Sequence, residues 1–235
     1  MKVASRLAAG AVLGFLGIAG CGESRTEPAG ATVTLDSLDR AVADNPQDSD
    51  THLRRARFLR DLSRTDEAVR DFRRAAELSK SPSGVLDELG EALVLAGRVA
   101  EAVPVLEESA KAAPGRPDIF LRLGKTLWDG GNKQGALALW ESGSRLLPGE
   151  VTLLRNVAVS RYETGDFEGA ARDYRKALEL RPEDPGSRTA LAWALLRLRR
   201  FDEARALCNE VLAKSPEDAA AKAILARIEP GAESR

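Results

Sequence analysis

The sequence has 235 residues, of which 43% are apolar, 30% are charged and 5% are aromatic, with a formal net charge of −1. This length suits one or two globular domains, and the composition excludes a disordered or a collagen-like chain. Abundant Ala, Leu and Arg favour helices over sheets. Because the sequence has no basic stripe interleaved with aromatic residues, its charge gives no indication of nucleic-acid binding.

The first 20 residues have the pattern of an export signal. Two basic residues precede the apolar run AAGAVLGFLGIA, which ends at Ala19. A transmembrane helix needs about 20 apolar residues, so this run instead suits the central region of a signal peptide. The segment Ile18–Cys21 resembles the lipobox of bacterial lipoproteins. That resemblance implies cleavage between Gly20 and Cys21 and acyl chains such as palmitate on Cys21; the alternative is an ordinary secretory signal with a chance cysteine.

Residues 21–33 comprise the lipidated cysteine and a predicted flexible tether, since the segment is small and polar and contains Pro28. In enteric lipoproteins, Gly rather than Asp after the lipidated cysteine favours the outer membrane over the inner one. The resemblance therefore implies a protein of the bacterial cell envelope that is anchored to the membrane by its lipid and faces the periplasm. Cys208, the other cysteine, is expected to lie unpaired in the core.

A capping helix is predicted over residues 34–48, and from Ser49 the sequence repeats every 34 residues. Position 20 of each block is Ala, position 8 is Ala or Gly, and position 32 is Pro except in the first block. Position 24 is always a residue able to fill a core. The five blocks span 49–82, 83–116, 117–150, 151–184 and 185–218.

This spacing resembles the tetratricopeptide repeat (TPR), a helix–turn–helix unit of 34 residues. The resemblance implies an all-α fold, a right-handed superhelical solenoid of antiparallel helix pairs with about five repeats and a half-repeat at each end. Small residues at positions 8 and 20 let the paired helices approach closely. Glycine at position 15 suits the end of the first helix, and proline at position 32 stops the second. Residues 219–235 are predicted to form a C-terminal capping helix and tail.

A few residues depart from the family pattern. Arg55 and Arg161 occupy positions 7 and 11, where the family has bulky apolar residues, and Pro104 should remove one hydrogen bond inside its helix. His52, the single histidine, is expected to be packed or half exposed. No group of His, Cys or carboxylate residues has the spacing of a metal site, and no nucleophile or phosphate-loop motif occurs. We therefore expect no enzyme, no metal and no cofactor.

Positions 2, 5, 9 and 12 of each first helix point away from its buried stripe. In the TPR family these residues line a concave groove that holds peptides or proteins. The groove is predicted to be basic in the first block (Arg54, Arg57, Arg60), acidic in the second (Asp87, Glu88, Glu91), then basic and aromatic, with Trp193 in the fifth block.

Arg, Trp and Tyr are enriched among binding hot spots, so a cluster in the third and fourth blocks is the predicted ligand site. Its members are Arg122, Lys125, Trp128, Arg155, Asn156 and Tyr162. The alternative is that these are solvated groove residues, with Trp128 packed against the neighbouring repeat. The carboxylate clamp of TPR co-chaperones is absent, because Leu121, Gly186 and Ala190 occupy positions where that motif needs Lys, Lys and Arg.

The lipid anchor and the solenoid together predict a non-catalytic scaffold, an adaptor or assembly factor that binds envelope proteins or peptides and no nucleic acid. The layout resembles type IV pilus pilotins, a β-barrel assembly component and adaptors for peptidoglycan hydrolases, with pilotins the best fit in length, anchor and repeat number. A self-associating structural module and a regulator of an envelope enzyme are the alternatives.

Overall fold

The computed structural model describes residues 33–228, so the predicted signal peptide, lipidated Cys21 and most of the tether lie outside the described residues. Residues 33–228 form twelve α-helices and no strands, and none of these helices is long and apolar enough to span a membrane. The helices are α1 Leu35–Asp44, α2 Ser49–Asp61, α3 Thr65–Leu78, α4 Ser83–Leu95, α5 Val99–Ala112, α6 Asp118–Asp129, α7 Lys133–Leu146, α8 Val151–Glu163, α9 Phe167–Leu180, α10 Pro185–Arg197, α11 Phe201–Lys214 and α12 Ala219–Ile228.

The helices pack as pairs, α2 with α3 and so on to α10 with α11, and α12 packs on α10 and α11. This arrangement confirms the predicted all-α superhelical solenoid. Each pair lies inside one 34-residue block, and each second helix from α5 onward ends two residues before the proline at position 32. Pro104 is accommodated inside α5, which continues unbroken on both sides.

The turn within each pair contains one residue in the left-handed region. Gly97, Gly131 and Gly165 have φ angles of 74°, 84° and 89°, as the spacing predicts. Ser63 and Arg199 occupy the same position with φ angles of 59° and 61°. A residue with a side chain adopts this conformation at a cost of roughly 1–2 kcal/mol. The first and last repeats therefore keep the same turn although Ser63 and Arg199 disfavour it.

Positions 8 and 24 of a block lie against each other at the crossing of the two helices. A Cβ added to Gly124 would lie 2.1 Å from Nε1 of Trp140, and one added to Gly90 would lie 2.3 Å from Cδ2 of Leu106. Position 24 of the fifth block is Cys208, which is 1% exposed, and burial raises the pKa of its thiol to about 11. Cys208 is therefore the core residue that the sequence predicted.

The two arginines at apolar positions are matched by aspartates at position 23 of the same block. Arg55 donates from Nε to Oδ2 of Asp71 at 2.6 Å and from Nη2 to Oδ1 at 2.8 Å. His52 is buried beside this pair, with Nδ1 at 3.3 Å from Asp71 and Nε2 at 3.1 Å from the Pro46 carbonyl. In the fourth block Arg161 donates one hydrogen bond, from Nη1 to Oδ2 of the buried Asp173. Each pair keeps a charge in the core with its hydrogen bonds satisfied.

Candidate functional site

The charges of the first three blocks pair with one another between repeats. Arg57 donates from Nη2 to Oε1 of Glu88 at 2.6 Å, and Arg60 reaches the other oxygen of Glu88 at 3.5 Å. Arg122 donates from Nη1 to Oε1 of Glu91 at 2.8 Å. The predicted acidic band is therefore neutralised from both sides. Such half-exposed pairs contribute about 0–1 kcal/mol each, and they leave little net charge for a ligand to recognise.

Asp87, which helical periodicity assigned to the groove, is buried instead, with 9% of its surface exposed. Its Oδ1 accepts a hydrogen bond from Ser109 Oγ at 2.5 Å, and its Oδ2 accepts one from Arg116 Nη2 at 2.6 Å. Position 5 of the second block thus links α4 to the end of α5 and to the connection that follows. Asp87 was predicted to face the groove because helical periodicity places it away from the apolar stripe of α4. Periodicity does not show which residues beside that stripe the neighbouring helix covers.

The predicted ligand contacts of the third block already interact with other residues of that block or of the second block. Lys125 Nζ pairs with Asp129 Oδ2 one turn along α6 at 2.6 Å, and Arg122 pairs with Glu91. Trp128 packs at a tilt against Trp140 of its own block, with ring centroids 5.8 Å apart, and Lys133 Nζ lies 4.9 Å from the Trp128 centroid. Trp128 is consequently half buried between a ring and a cation.

The predicted contacts of the fourth block lie further along the groove. Arg155 Nε lies 3.6 Å from Asp184 Oδ2, and Asn156 is half buried. The Tyr162 ring meets Phe167 edge-on, with centroids 5.3 Å apart and an interplanar angle of 66°. Of the six predicted contacts, Tyr162 is the one that lines the cleft described next. The structure therefore spreads the six along the groove and does not gather them into one cluster.

An open cleft of about 400 Å³ lies between α8 and α10. Val159 and Tyr162 of α8 face Ala190 and Trp193 of α10 across it, and the buried Tyr174 of α9 also lines it. Val159 is 40% exposed, which is unusual for a large apolar side chain in the middle of a helix. The lining residues at positions 6, 9 and 12 identify the cleft as part of the concave groove, between the fourth and fifth repeats.

Arginines stacked on aromatic rings flank this cleft. Arg227 Cζ lies 5.0 Å from the Trp193 centroid, and Arg197 Cζ lies 4.3 Å from the centroid of Phe167, the ring that contacts Tyr162. Neither guanidinium forms an ion pair with a carboxylate within residues 33–228. Burial raises the pKa of Tyr174 to about 12, although the charge of Arg155 lowers it, so this phenol is neutral at physiological pH.

The sequence did not point to Val159 and Ala190, because hot-spot composition favours charged and aromatic groove residues. The available signal was an apolar side chain at position 9, a solvent-facing position, in the block that follows Lys125. Within the described part of the chain, no group of three or more His, Cys, Asp or Glu residues is placed to hold a metal ion. The site is therefore suited to binding, since it combines a concave cleft, an apolar lining and positive charge at its edges.

The comparison with protein families rests on two models, both described as tetratricopeptide repeat. One matches residues 35–83, 88–150 and 121–185, and the other matches residues 161–228. The chain is a member of the tetratricopeptide repeat family. TPR proteins generally mediate protein–protein interactions and are generally not enzymes. No curated protein sequence matches the chain significantly.

Several solved structures are similar to this TPR protein at low sequence identity. YrrB, described as a TPR protein with an unusual peptide-binding site, is 16% identical over 81% of this chain and 98% of its own, with a TM-score of 0.47. The C-terminal part of a TPR protein from Cytophaga hutchinsonii is 18% identical over 83% of this chain and 78% of its own, with a TM-score of 0.49. MamA is 16% identical over 73% of this chain and 93% of its own, with a TM-score of 0.45.

Proposed function

We propose that this TPR protein is a non-catalytic adaptor of the bacterial cell envelope, which binds a segment of a partner protein in the cleft between α8 and α10. The observation that carries the proposal is the cleft itself, an open cavity with an exposed Val159 and a half-buried Trp193 on opposite walls. Apolar side chains exposed together in a concavity mark interaction sites, because leaving them in water is unfavourable.

The position of the cleft also favours a peptide-like ligand. It lies between the first helices of two successive repeats, so its walls come from α8 and α10. An extended segment placed along this face would lie across several repeats while one side chain enters the cleft. Such a mode buries a single apolar anchor and keeps the ligand backbone accessible to polar groups of the groove.

The anchor part of the proposal rests on the sequence before residue 33. A lipidated Cys21 carrying two or more acyl chains would hold the protein durably at a membrane, whereas one chain gives only marginal binding. A Cys21→Ala variant should then move from the membrane fraction to the soluble fraction and lose incorporation of labelled palmitate. Retention of Cys21→Ala in the membrane fraction, with no palmitate in the unaltered protein, would contradict the anchor.

The binding part is tested by site-specific photocrosslinking in cells. A photoreactive phenylalanine replaces Val159 on the concave face or, as a matched control, Leu180 at the end of α9. Both native side chains are apolar and comparably exposed, at 40% and 50%. The proposal predicts a crosslinked envelope protein from position 159 and none from position 180. A crosslink to a second copy of the chain would instead support the self-associating module, and equal yields at both positions would contradict the cleft.

A further inference from the structure

We infer that the ligand of this cleft is an acidic segment with one bulky apolar side chain, such as Phe or Leu, between Asp or Glu residues. The inference rests on the proposed function and adds the chemistry of the partner. It combines the apolar lining of the cleft with the charges at its edges.

The size and lining of the cleft set the anchor. A cavity of about 400 Å³ lies near the lower end of the roughly 300–1,000 Å³ typical of small-ligand sites. It therefore holds one large side chain and adjoining backbone. Rings from Tyr162, Tyr174 and Trp193 line it, so an aromatic anchor gains edge-to-face contacts in addition to buried area.

The charges around the cleft set the flanking residues. The acid that lines it, Glu163, lies 3.4 Å from Lys133, and Arg155 lies 3.6 Å from Asp184. These four charges compensate one another, whereas Arg197 and Arg227 have no carboxylate partner among residues 33–228 and contribute positive charge at the edges. Each guanidinium lies over an aromatic ring, Phe167 or Trp193, and such a contact uses the face of the guanidinium and not the N–H groups at its edge.

Guanidinium groups held in this way are suited to carboxylates. Arginine presents a planar fork that can bind a carboxylate with two parallel hydrogen bonds, and stacking on a ring reduces the side-chain freedom lost on binding. Arg227 already donates from Nη1 to the Ala223 carbonyl at 3.0 Å, which fixes its orientation. In contrast, Arg57 and Arg122 are occupied by Glu88 and Glu91. An acidic ligand is thus directed to the C-terminal end of the groove.

The inference is tested by fluorescence anisotropy with the full chain in phosphatidylcholine nanodiscs and three labelled peptides. The first peptide has one Phe between Glu residues; the second replaces Phe with Ala, and the third replaces every Glu with Lys. We expect the first to bind and the other two to bind about 10- to 30-fold more weakly. Its binding should also weaken from 0.15 to 1 M salt, as the Debye length falls from about 8 to about 3 Å.

Two protein variants and one matched control test whether the peptide binds in the cleft and to the charges at its edges. Val159→Asn should weaken the Phe–Glu peptide about tenfold, while the matched surface variant Leu180→Asn should not. The double variant Arg197→Glu/Arg227→Glu should prefer the Lys peptide over the Glu peptide. A thermal melt by circular dichroism verifies that each variant remains folded. Reversal of charge preference is a result that partial unfolding does not produce.

Equal binding of the Glu and Lys peptides, or equal binding of the Phe and Ala peptides, would overturn the inference. If Val159 still crosslinks a partner in cells after such a result, the adaptor proposal survives and only the ligand class is wrong. Crosslinking at Val159 could fail while the Phe–Glu peptide binds and loses affinity in Val159→Asn. In that case the inferred ligand chemistry is correct and the proposed envelope partner is wrong.

Discussion

The two ends of the concave groove use the same helix positions in opposite ways. At position 9, the first and second blocks place Arg57 and Glu91, each of which pairs with a charge of the adjacent repeat. The fourth and fifth blocks place Val159 and Trp193 there, and both line an open cleft. Charges that alternate from repeat to repeat satisfy each other, whereas apolar residues at the same positions stay in water until a ligand covers them. In the first part of the groove these positions hold neighbouring repeats together, and in the last part they are available to bind a ligand.

The apolar core is also divided in two, and the boundary between its clusters lies within α8. Leu153 and Val157 belong to the apolar cluster of the first three repeats, while Ala158 belongs to the cluster of the last two. On the same helix Arg161 binds Asp173 and, at 2.6 Å, Glu141 of the preceding repeat. The ion cluster therefore joins the third repeat to the fourth.

The largest expected effect on stability is at this junction. Asp173→Ala should lower the free energy of unfolding by about 3 kcal/mol, because it leaves Arg161 largely buried with only Glu141 and the more distant Asp166 as partners. Burial raises the pKa of Asp173, so keeping this carboxylate ionised lowers the stability of the folded protein. The double variant Arg161→Leu/Asp173→Leu should therefore recover most of the loss. Urea unfolding followed by circular dichroism measures both, and a double variant less stable than Asp173→Ala would contradict this explanation.

A smaller loss is expected where the aromatic core of the third repeat meets a glycine. Gly124→Ala should cost about 1–3 kcal/mol, because the new methyl group would overlap the rigid indole of Trp140. Gly90→Ala should cost less, since the end of the Leu106 side chain can move aside. Thermal melts compare the two. As a control, Gly124→Ala should cost less in a Trp140→Leu background, and an unchanged cost there would exclude the overlap.

The smallest effect is expected in the paired half of the groove. Glu91→Gln should change the free energy of unfolding by no more than about 1 kcal/mol, since it removes one half-exposed ion pair. Affinity for the Phe–Glu peptide should stay within about twofold, because the released Arg122 lies outside the cleft. A gain of tenfold or more would mean that the ligand extends along the groove to the third repeat.

The sequence predicted the fold because the solenoid repeats its packing every 34 residues. Alanine at position 20 and proline at position 32 recur in register, so each helix pair could be placed from local spacing alone. Even the partly buried arginines had a signal, since Asp71 and Asp173 stand at the same position of their blocks. The apolar pattern of one helix does not reveal this signal, because each aspartate lies on the second helix of the pair.

The candidate site was predicted less well, for a physical reason. Whether Arg57 or Arg122 presents a free charge depends on the offset between successive first helices, which a repeat pattern does not specify. The structure shows that this offset brings Glu88 and Glu91 within hydrogen-bonding distance of those arginines. Within the third block, Lys133 lies over the Trp128 ring, while Val159 remains exposed beside Trp193. Residue type alone pointed to charged and aromatic residues of the third and fourth blocks, of which Tyr162 lines the cleft.

The most direct measurement places the same photoreactive phenylalanine at position 9 of every block, in separate full-length chains, and quantifies partner capture in cells. The substituted residues are Arg57, Glu91, Lys125, Val159 and Trp193. If the C-terminal cleft is the binding site, capture is high from 159 and 193 and low from 57 and 91. A maximum at 57 or 91, or an even profile along the groove, would contradict the division of the groove into a paired half and a binding half.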